Sequence, residues 1–292
     1  MGLPRYLLKL FRDAPNKTML LRSLALSSKG GDRAITSADG TTLCARSTGQ
    51  GTPVVMVHGT AGGIGAFSFV ELVLAERYEV WVYDRRGRGD SGNGDDYGLG
   101  REVEDLLAVI AATGSTPHVV SHSFGALIAF RTAATTDVDL RSLVLYEPPL
   151  VSEMASPDTV AEVDAAVGRG DHEHAFMAMA SKIAGLSDEE VAVFKAIPPV
   201  WKELLETVPT APRELAEVRS CDWEPGNVPL SDIPVCMIRG ERESNPVYPA
   251  IEDLPRWVSD PEIVTIPGQG HMAAAFAPYD FADAVLNFID QH

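Results

Sequence analysis

The stretch His118-Val-Val-Ser121-His122-Ser123-Phe124-Gly125-Ala126 decides how this chain folds. His118–Ser121 reads as a short buried strand and Phe124–Thr135 as a helix, with almost nothing between them. A strand that passes straight into a helix must turn sharply, and the residue at the turn, Ser123, is lifted clear of the sheet edge with its hydroxyl exposed. Strand and helix run very close together at such a turn, so small residues are needed two before and two after the serine. Gly125 meets that demand; Ser121 meets it less fully. The helix N-terminus adds free backbone N–H donors and a partial positive charge beside the hydroxyl. The competing account is a serine that only caps its helix.

The flanking sequence repeats the same texture. Pro53–Val57, Glu79–Tyr83 and Leu143–Tyr146 are apolar without alternation, which fits strands buried on both faces of a parallel sheet. Helical stretches lie near Phe67–Arg77, Leu99–Thr113 and Phe124–Thr135. This strand–helix rhythm predicts right-handed crossovers and an α/β fold with a doubly wound, mostly parallel sheet. Upstream, Arg33–Thr36 and Thr42–Thr48 flank a turn at Asp39-Gly40 and read as a hairpin. Downstream the rhythm breaks. Residues 150–230 are helix-like, with segments at Pro157–Val167, His172–Ala184, Asp188–Ala196 and Val200–Val208, before strands return at Val235–Arg239 and Glu262–Ile266 and a helix at Tyr279–Asp290 closes the chain. The expected organisation is a core of residues 31–149 and 231–292 with a helical cap, 150–230, inserted over one sheet edge.

The chain has 292 residues, 45% apolar and 22% charged, the balance of an ordinary globular protein. Its formal charge of −17 repels phosphate backbones, so nucleic acid is not an expected partner. The three cysteines (Cys44, Cys221, Cys236) form no CxxC pair, which supports neither a disulfide framework nor a zinc ribbon and fits a reducing, cytoplasmic setting. No apolar run reaches the ~18–20 residues of a membrane-spanning helix. Residues 1–30 differ from the rest, with six basic side chains against Asp13 alone, and Leu3, Leu7, Leu10 and Phe11 fall on one helical face. They read as a basic helical leader, expected to pack on the main domain rather than to contact a membrane surface. The Met-Gly start does not complete a myristoylation pattern, because Tyr6 stands where Ser or Thr is required.

Two further segments carry chemistry. His58-Gly59-Thr60-Ala61-Gly62-Gly63 follows a buried strand and can aim a backbone N–H across the sheet edge. It has neither GxGxxG nor GxxxxGK[ST] spacing, so a nucleotide site is not indicated. Gly268-Gln269-Gly270-His271-Met272 follows the Glu262–Ile266 strand and puts a histidine on an accessible loop. With Tyr83-Asp84-Arg85-Arg86-Gly87-Arg88-Gly89-Asp90-Ser91 and Tyr146-Glu147-Pro148-Pro149, these segments occur in the order of a known family. Over about residues 33–290 the chain resembles the α/β-hydrolase family, in its capped, lipase- and esterase-like branch. The resemblance implies Ser123 as nucleophile, His271 as general base, and the backbone N–H groups of Phe124 and Thr60 as the oxyanion hole.

The resemblance leaves two candidates for the acid. Glu243, in Arg239-Gly240-Glu241-Arg242-Glu243, matches the family's commoner position after the seventh core strand and is the first choice; Glu147 matches the position some relatives use, at the end of the preceding strand. The expected function is hydrolysis of an ester, thioester or lactone of a small, fairly apolar molecule through an acyl-enzyme, with no cofactor and no metal, since the histidines lack HExxH or comparable spacing. Two alternatives share the site. One is a non-hydrolytic enzyme of the same fold (C–C lyase, cyclase, acyl transfer or cofactor-free oxygenase); the other is a ligand-binding pseudo-hydrolase. In the cap, His172, His174, Phe176, Met177, Met179 and Trp201 are candidate pocket residues, most of them expected to serve in packing.

Overall fold

The computed structural model describes residues 17–27, 29–150, 155–220, 230, 233–242, 258 and 260–292. Eight strands form one sheet: β1 (Arg33–Thr36), β2 (Thr42–Gly49), β3 (Pro53–Val57), β4 (Glu79–Tyr83), β5 (His118–His122), β6 (Ser142–Tyr146), β7 (Val235–Gly240) and β8 (Glu262–Ile266). Their spatial order is β1-β2-β4-β3-β5-β6-β7-β8. β1–β2 and β2–β4 pair antiparallel, and all other neighbours are parallel. The helices are α1 (Lys17–Ser27), α2 (Ser68–Leu74), α3 (Leu99–Ala112), α4 (Phe124–Thr135), α5 (Pro157–Gly168), α6 (His172–Lys182), α7 (Asp188–Lys195), α8 (Pro198–Thr207), α9 (Ala211–Ser220), α10 (Ala273–Phe276) and α11 (Pro278–Ile289).

Burial explains the layering. Every residue of β3, β5 and β6 is buried, as unbroken apolar runs require. Within β3 the side chains alternate: Val55 and Val57 join the cluster with Leu106 and Val109 of α3 and Leu127 of α4, whereas Val54 and Met56 join Val70 of α2 and Phe281 and Val285 of α11. The sheet therefore has a core on each face. The chain moves from β3 to β4 on one side, then recrosses to place β5 on the other. Loops leaving the carboxyl ends of β3 and β5 diverge at this switch point, where a crevice opens in folds of this class.

Helices α5–α9 separate β6 from β7, and α9 is an element the sequence reading did not anticipate. Its segment Ala-Pro-Arg-Glu-Leu-Ala-Glu-Val-Arg-Ser carries little apolar signal because part of its buried face is Glu214. At the amino end, α1 packs against α2, while Leu3, Leu7, Leu10 and Phe11 lie outside the described residues. Among the described residues no helix is long and apolar enough to cross a membrane.

Candidate active site

Ser123 sits between β5 and α4 with φ 53° and ψ −125°, a conformation costly for any residue with a Cβ, by about 1–3 kcal/mol. Its hydroxyl makes no capping hydrogen bond to the helix, so it is not held there as a cap. The strain persists because the surroundings dictate it. A Cβ at Gly125 would overlap the carbonyl oxygens of Val57 and His58, so only glycine lets α4 start this close to β3. Ser121 is fully buried, and its hydroxyl donates to the Val144 carbonyl at 2.8 Å, which is how a serine is accommodated two residues before the turn. The backbone N–H of Ser123 donates to the Tyr146 carbonyl at 2.8 Å.

Ala61 and Glu147 also have positive φ, of 54° and 46°. With Ser123 they lie just beyond the ends of β3, β5 and β6, so three of the four non-glycine positive-φ residues among the described residues gather there, the fourth, Asp260, preceding β8.

His271 is buried, and its Nδ1 lies 2.6 Å from Glu147 Oε2. The other carboxylate oxygen of Glu147 accepts the Gly240 N–H at 2.8 Å, and the residue is fully buried. An acceptor at Nδ1 fixes the tautomer: the proton stays on Nδ1 and Nε2 carries the lone pair. His271 and Ser123 line the same cavity. Of the two candidate acids, then, Glu147 lies in hydrogen-bond contact with His271; Glu243 lies outside the described residues.

The loop bearing His271 is held from behind. The Tyr146 hydroxyl donates to the Gly270 carbonyl and accepts the Ala273 N–H at 2.7 Å. His122 Nε2 lies 2.8 Å from the His271 carbonyl oxygen, and the His122 ring stacks on Tyr146 with centroids 4.8 Å apart. Burial, and then the neighbouring His271, push the His122 imidazole well below its usual range, so it is neutral and donates from Nε2. Tyr146 and His122 belong to quoted motifs, yet their positioning roles depend on contacts with residues more than a hundred positions away, which local spacing does not reveal.

The loop after β3 rests on a buried ion pair. Arg85 makes a two-pronged contact with Glu102 at 2.6 and 3.0 Å and directs its remaining terminal nitrogen at the carbonyls of His58 and Gly59, each at 3.3 Å. His58 is neutral too, its imidazole pushed well below the usual range by burial and by the charges of Arg85 and Arg88. It is engaged at both nitrogens, with Gly59 O and Arg85 N, as a prop for the loop. Thr60 and Phe124 both line the cavity. The Phe124 N–H, at the first position of α4, has no partner within the helix.

The cavity has a volume of about 240 Å³. Its wall is mostly apolar, built from the β3 loop, the start of α4 and side chains of α6, α8 and α9 such as Phe176, Met179, Leu204 and Leu215. Trp201 instead packs edge-on against Phe176 at 5.2 Å, and His174 pairs with Glu162 at 3.1 Å on the exposed surface. Among the described residues one charged side chain, Glu203, lines the cavity, and it was not among the expected site residues. An acid inside the apolar i, i+3, i+4, i+7 stripe Val200, Glu203, Leu204, Thr207 was the signal available for it. Among the described residues no three His, Cys, Asp or Glu side chains gather into a metal-ligating group.

Comparison with known proteins agrees with this architecture. The family model described as Alpha/beta hydrolase family matches residues 54–286. A curated relative, N-formylmaleamate deformylase of Pseudomonas putida, is 36% identical over 105 residues, a stretch that covers 35% of this chain and only 39% of that protein. Among solved structures, an alpha/beta hydrolase from Sphaerobacter thermophilus has a TM-score of 0.76 and 28% identity, covering 88% of this chain and 99% of its own. An esterase from Exiguobacterium antarcticum shares the fold, with a TM-score of 0.72 at 17% identity over 90% of this chain and 100% of its own.

Proposed function

The chain belongs to the alpha/beta hydrolase family, and from that premise we propose that it is a serine hydrolase working through a Ser123 acyl-enzyme. His271 Nε2 takes the Ser123 proton as Oγ attacks a carbonyl carbon. The Phe124 and Thr60 N–H groups receive the resulting oxyanion, each such donor contributing about 3 kcal/mol to transition-state stabilisation. His271 then passes the proton to the leaving group, and water, deprotonated in turn by His271, releases the acyl group. Glu147 keeps the proton on Nδ1 and stabilises the imidazolium. The observation that carries this reading is the 2.6 Å contact between Glu147 Oε2 and Nδ1 of His271, a residue that lines the same cavity as Ser123.

The substrate class follows from the wall. A small, mostly apolar cavity suits the acyl or alcohol part of an ester, thioester or lactone. The similarity to a protein named a deformylase extends the reading to carbon–nitrogen acyl bonds, which the same nucleophile and oxyanion donors can open. Helices α5–α9 serve as the cap, since side chains of α6, α8 and α9 line the cavity.

The test is mass-spectrometric mapping of a fluorophosphonate probe. Modification of Ser123 in the wild-type protein, absent in Ser123→Ala, is the expected result. A folded wild-type protein that takes no label at Ser123 would refute the acyl-enzyme.

A further inference from the structure

Glu203 is fixed in the cavity by two contacts of its helix. Four residues on, the Thr207 hydroxyl donates to the Ala61 carbonyl at 2.8 Å, which seats this face of α8 on the loop after β3. A Cβ at Gly63 would overlap Glu203 Oε1, so the carboxyl occupies the space that the glycine leaves open. Across Gly63 stands Asp84, whose own oxygens are engaged by the backbone N–H groups of Ile64 at 2.8 Å and Asp90 at 3.4 Å. Among the described residues no Lys or Arg lines the cavity and Glu203 joins no ion pair. Burial, and then the Asp84 charge, push this carboxyl up to about 7, against the opposing pull of the Gly65 N–H and the more distant Arg46.

A carboxyl on an apolar wall loses hydration without gaining a cation, and that arrangement costs free energy unless a ligand completes it. A carboxylate-bearing ligand would meet Glu203 and Asp84 as like charges; a neutral one leaves Glu203 uncompensated; a cationic one supplies its missing partner. We propose that Glu203 is the polar anchor of the cavity and selects substrates bearing a protonated amine on the part that lies along α8. As a statement about turnover this rests on the acyl-enzyme reading. As a statement about binding it does not.

Calorimetric titration separates the two. The probes are hexylammonium, 1-hexanol and hexanoate, at about pH 8, where Glu203 is mostly ionised and an alkylamine keeps its proton. Wild-type protein is expected to bind hexylammonium at least ~10-fold more tightly than hexanol, the equivalent of ~1.4 kcal/mol, with hexanoate weakest. In Glu203→Gln that advantage should shrink to within about threefold, and in Gly63→Ala, which displaces the carboxyl without removing it, it should also fall. Equal binding of the amine and the alcohol by wild type would overturn the proposal, as would an advantage that survives in Glu203→Gln. An amine preference in a protein whose Ser123 takes no fluorophosphonate keeps the anchor and discards the hydrolase; a labelled Ser123 with no amine preference does the reverse.

Discussion

At the scale of single residues, Glu147 is the side chain that meets His271 at Nδ1. It is fully buried, held at positive φ, and divides its two oxygens between His271 Nδ1 and the Gly240 N–H. Glu147→Gln puts an amide where the imidazole proton needs an acceptor. If the amide nitrogen faces Nδ1, the ring flips to the wrong tautomer, and even the amide oxygen stabilises an imidazolium far less than a carboxylate. The expected loss in kcat is about 10³–10⁴-fold with little change in KM. Glu243→Gln should stay within about threefold of wild type. Steady-state kinetics on one activated ester checks both variants, and the opposite pattern would give the acid role to Glu243. From the sequence Glu243 was the first choice, matching the family's commoner position; the Glu147–His271 contact joins residues 124 positions apart, which local spacing does not reveal. What sequence did show was local: the Ser123 turn and the Gly125 close approach are written in adjacent residues.

At the scale of elements, the segment after β4 joins distant parts of the chain. Arg86 makes a two-pronged pair with Asp105 of α3 at 2.7 and 2.8 Å and also reaches Asp39 at 3.0 Å. Arg88 pairs with Glu214 of α9, and Arg85 lies 3.3 Å from the same carboxylate. All three arginines are buried. Glu102 and Asp105, one helical turn apart on α3, were the matching half of the pattern. The same network explains why α9 was not legible: its inward acid is balanced by a residue far away in the chain. Glu214→Ala removes the direct partner of Arg88 and leaves a buried guanidinium, whereas Arg85 retains Glu102. The expected cost is about 3–5 kcal/mol of unfolding free energy, read from urea denaturation. Replacing both members, Arg88→Met with Glu214→Leu, should recover most of that loss, because the pair is imperfect: Arg88 Nε and Glu214 Oε2 have no hydrogen-bond partners among the described residues. A double variant as unstable as the single one would contradict this account.

At the scale of the whole molecule, the strands were legible because unbroken apolar runs announce burial on both faces. The strand order was not, since the position of β3 between β4 and β5 and the antiparallel pairing of β2 with β4 are chosen by packing of the complete sheet. That packing buries titratable groups throughout, and their balance sets the acid limit of the fold. His58 and His122 are pushed well below the usual imidazole range by burial, and His118 is pushed down to about 4 by burial and then by the Arg141 and His292 charges, with Asp290 opposing. His118 is also enclosed by Ser142, 2.8 Å from its Nδ1, and by the Tyr78 ring at 5.9 Å. For each of these histidines the unfolded chain binds a proton near pH 6.5 that the folded chain refuses. Their contribution to stability is therefore complete above about pH 6.5 and lost as pH falls from there towards 4. Glu203 acts in the opposite sense, because its raised value makes the folded chain the better proton acceptor between the ordinary carboxylate range and about 7. Asp84 and Asp105, also raised by burial, act in the same sense as Glu203. They start from a lower carboxylate range, so the three strongly depressed histidines dominate and the unfolding midpoint in urea should fall between pH 6.5 and 4.5. His118→Gln keeps a polar group near Ser142 but cannot take up a proton. In that variant the fall should be shallower by up to one bound proton, while Glu203→Gln should make it steeper. A midpoint that is flat across this range in wild type, or unchanged in slope in His118→Gln, would show that these imidazoles remain accessible to protons in the folded state.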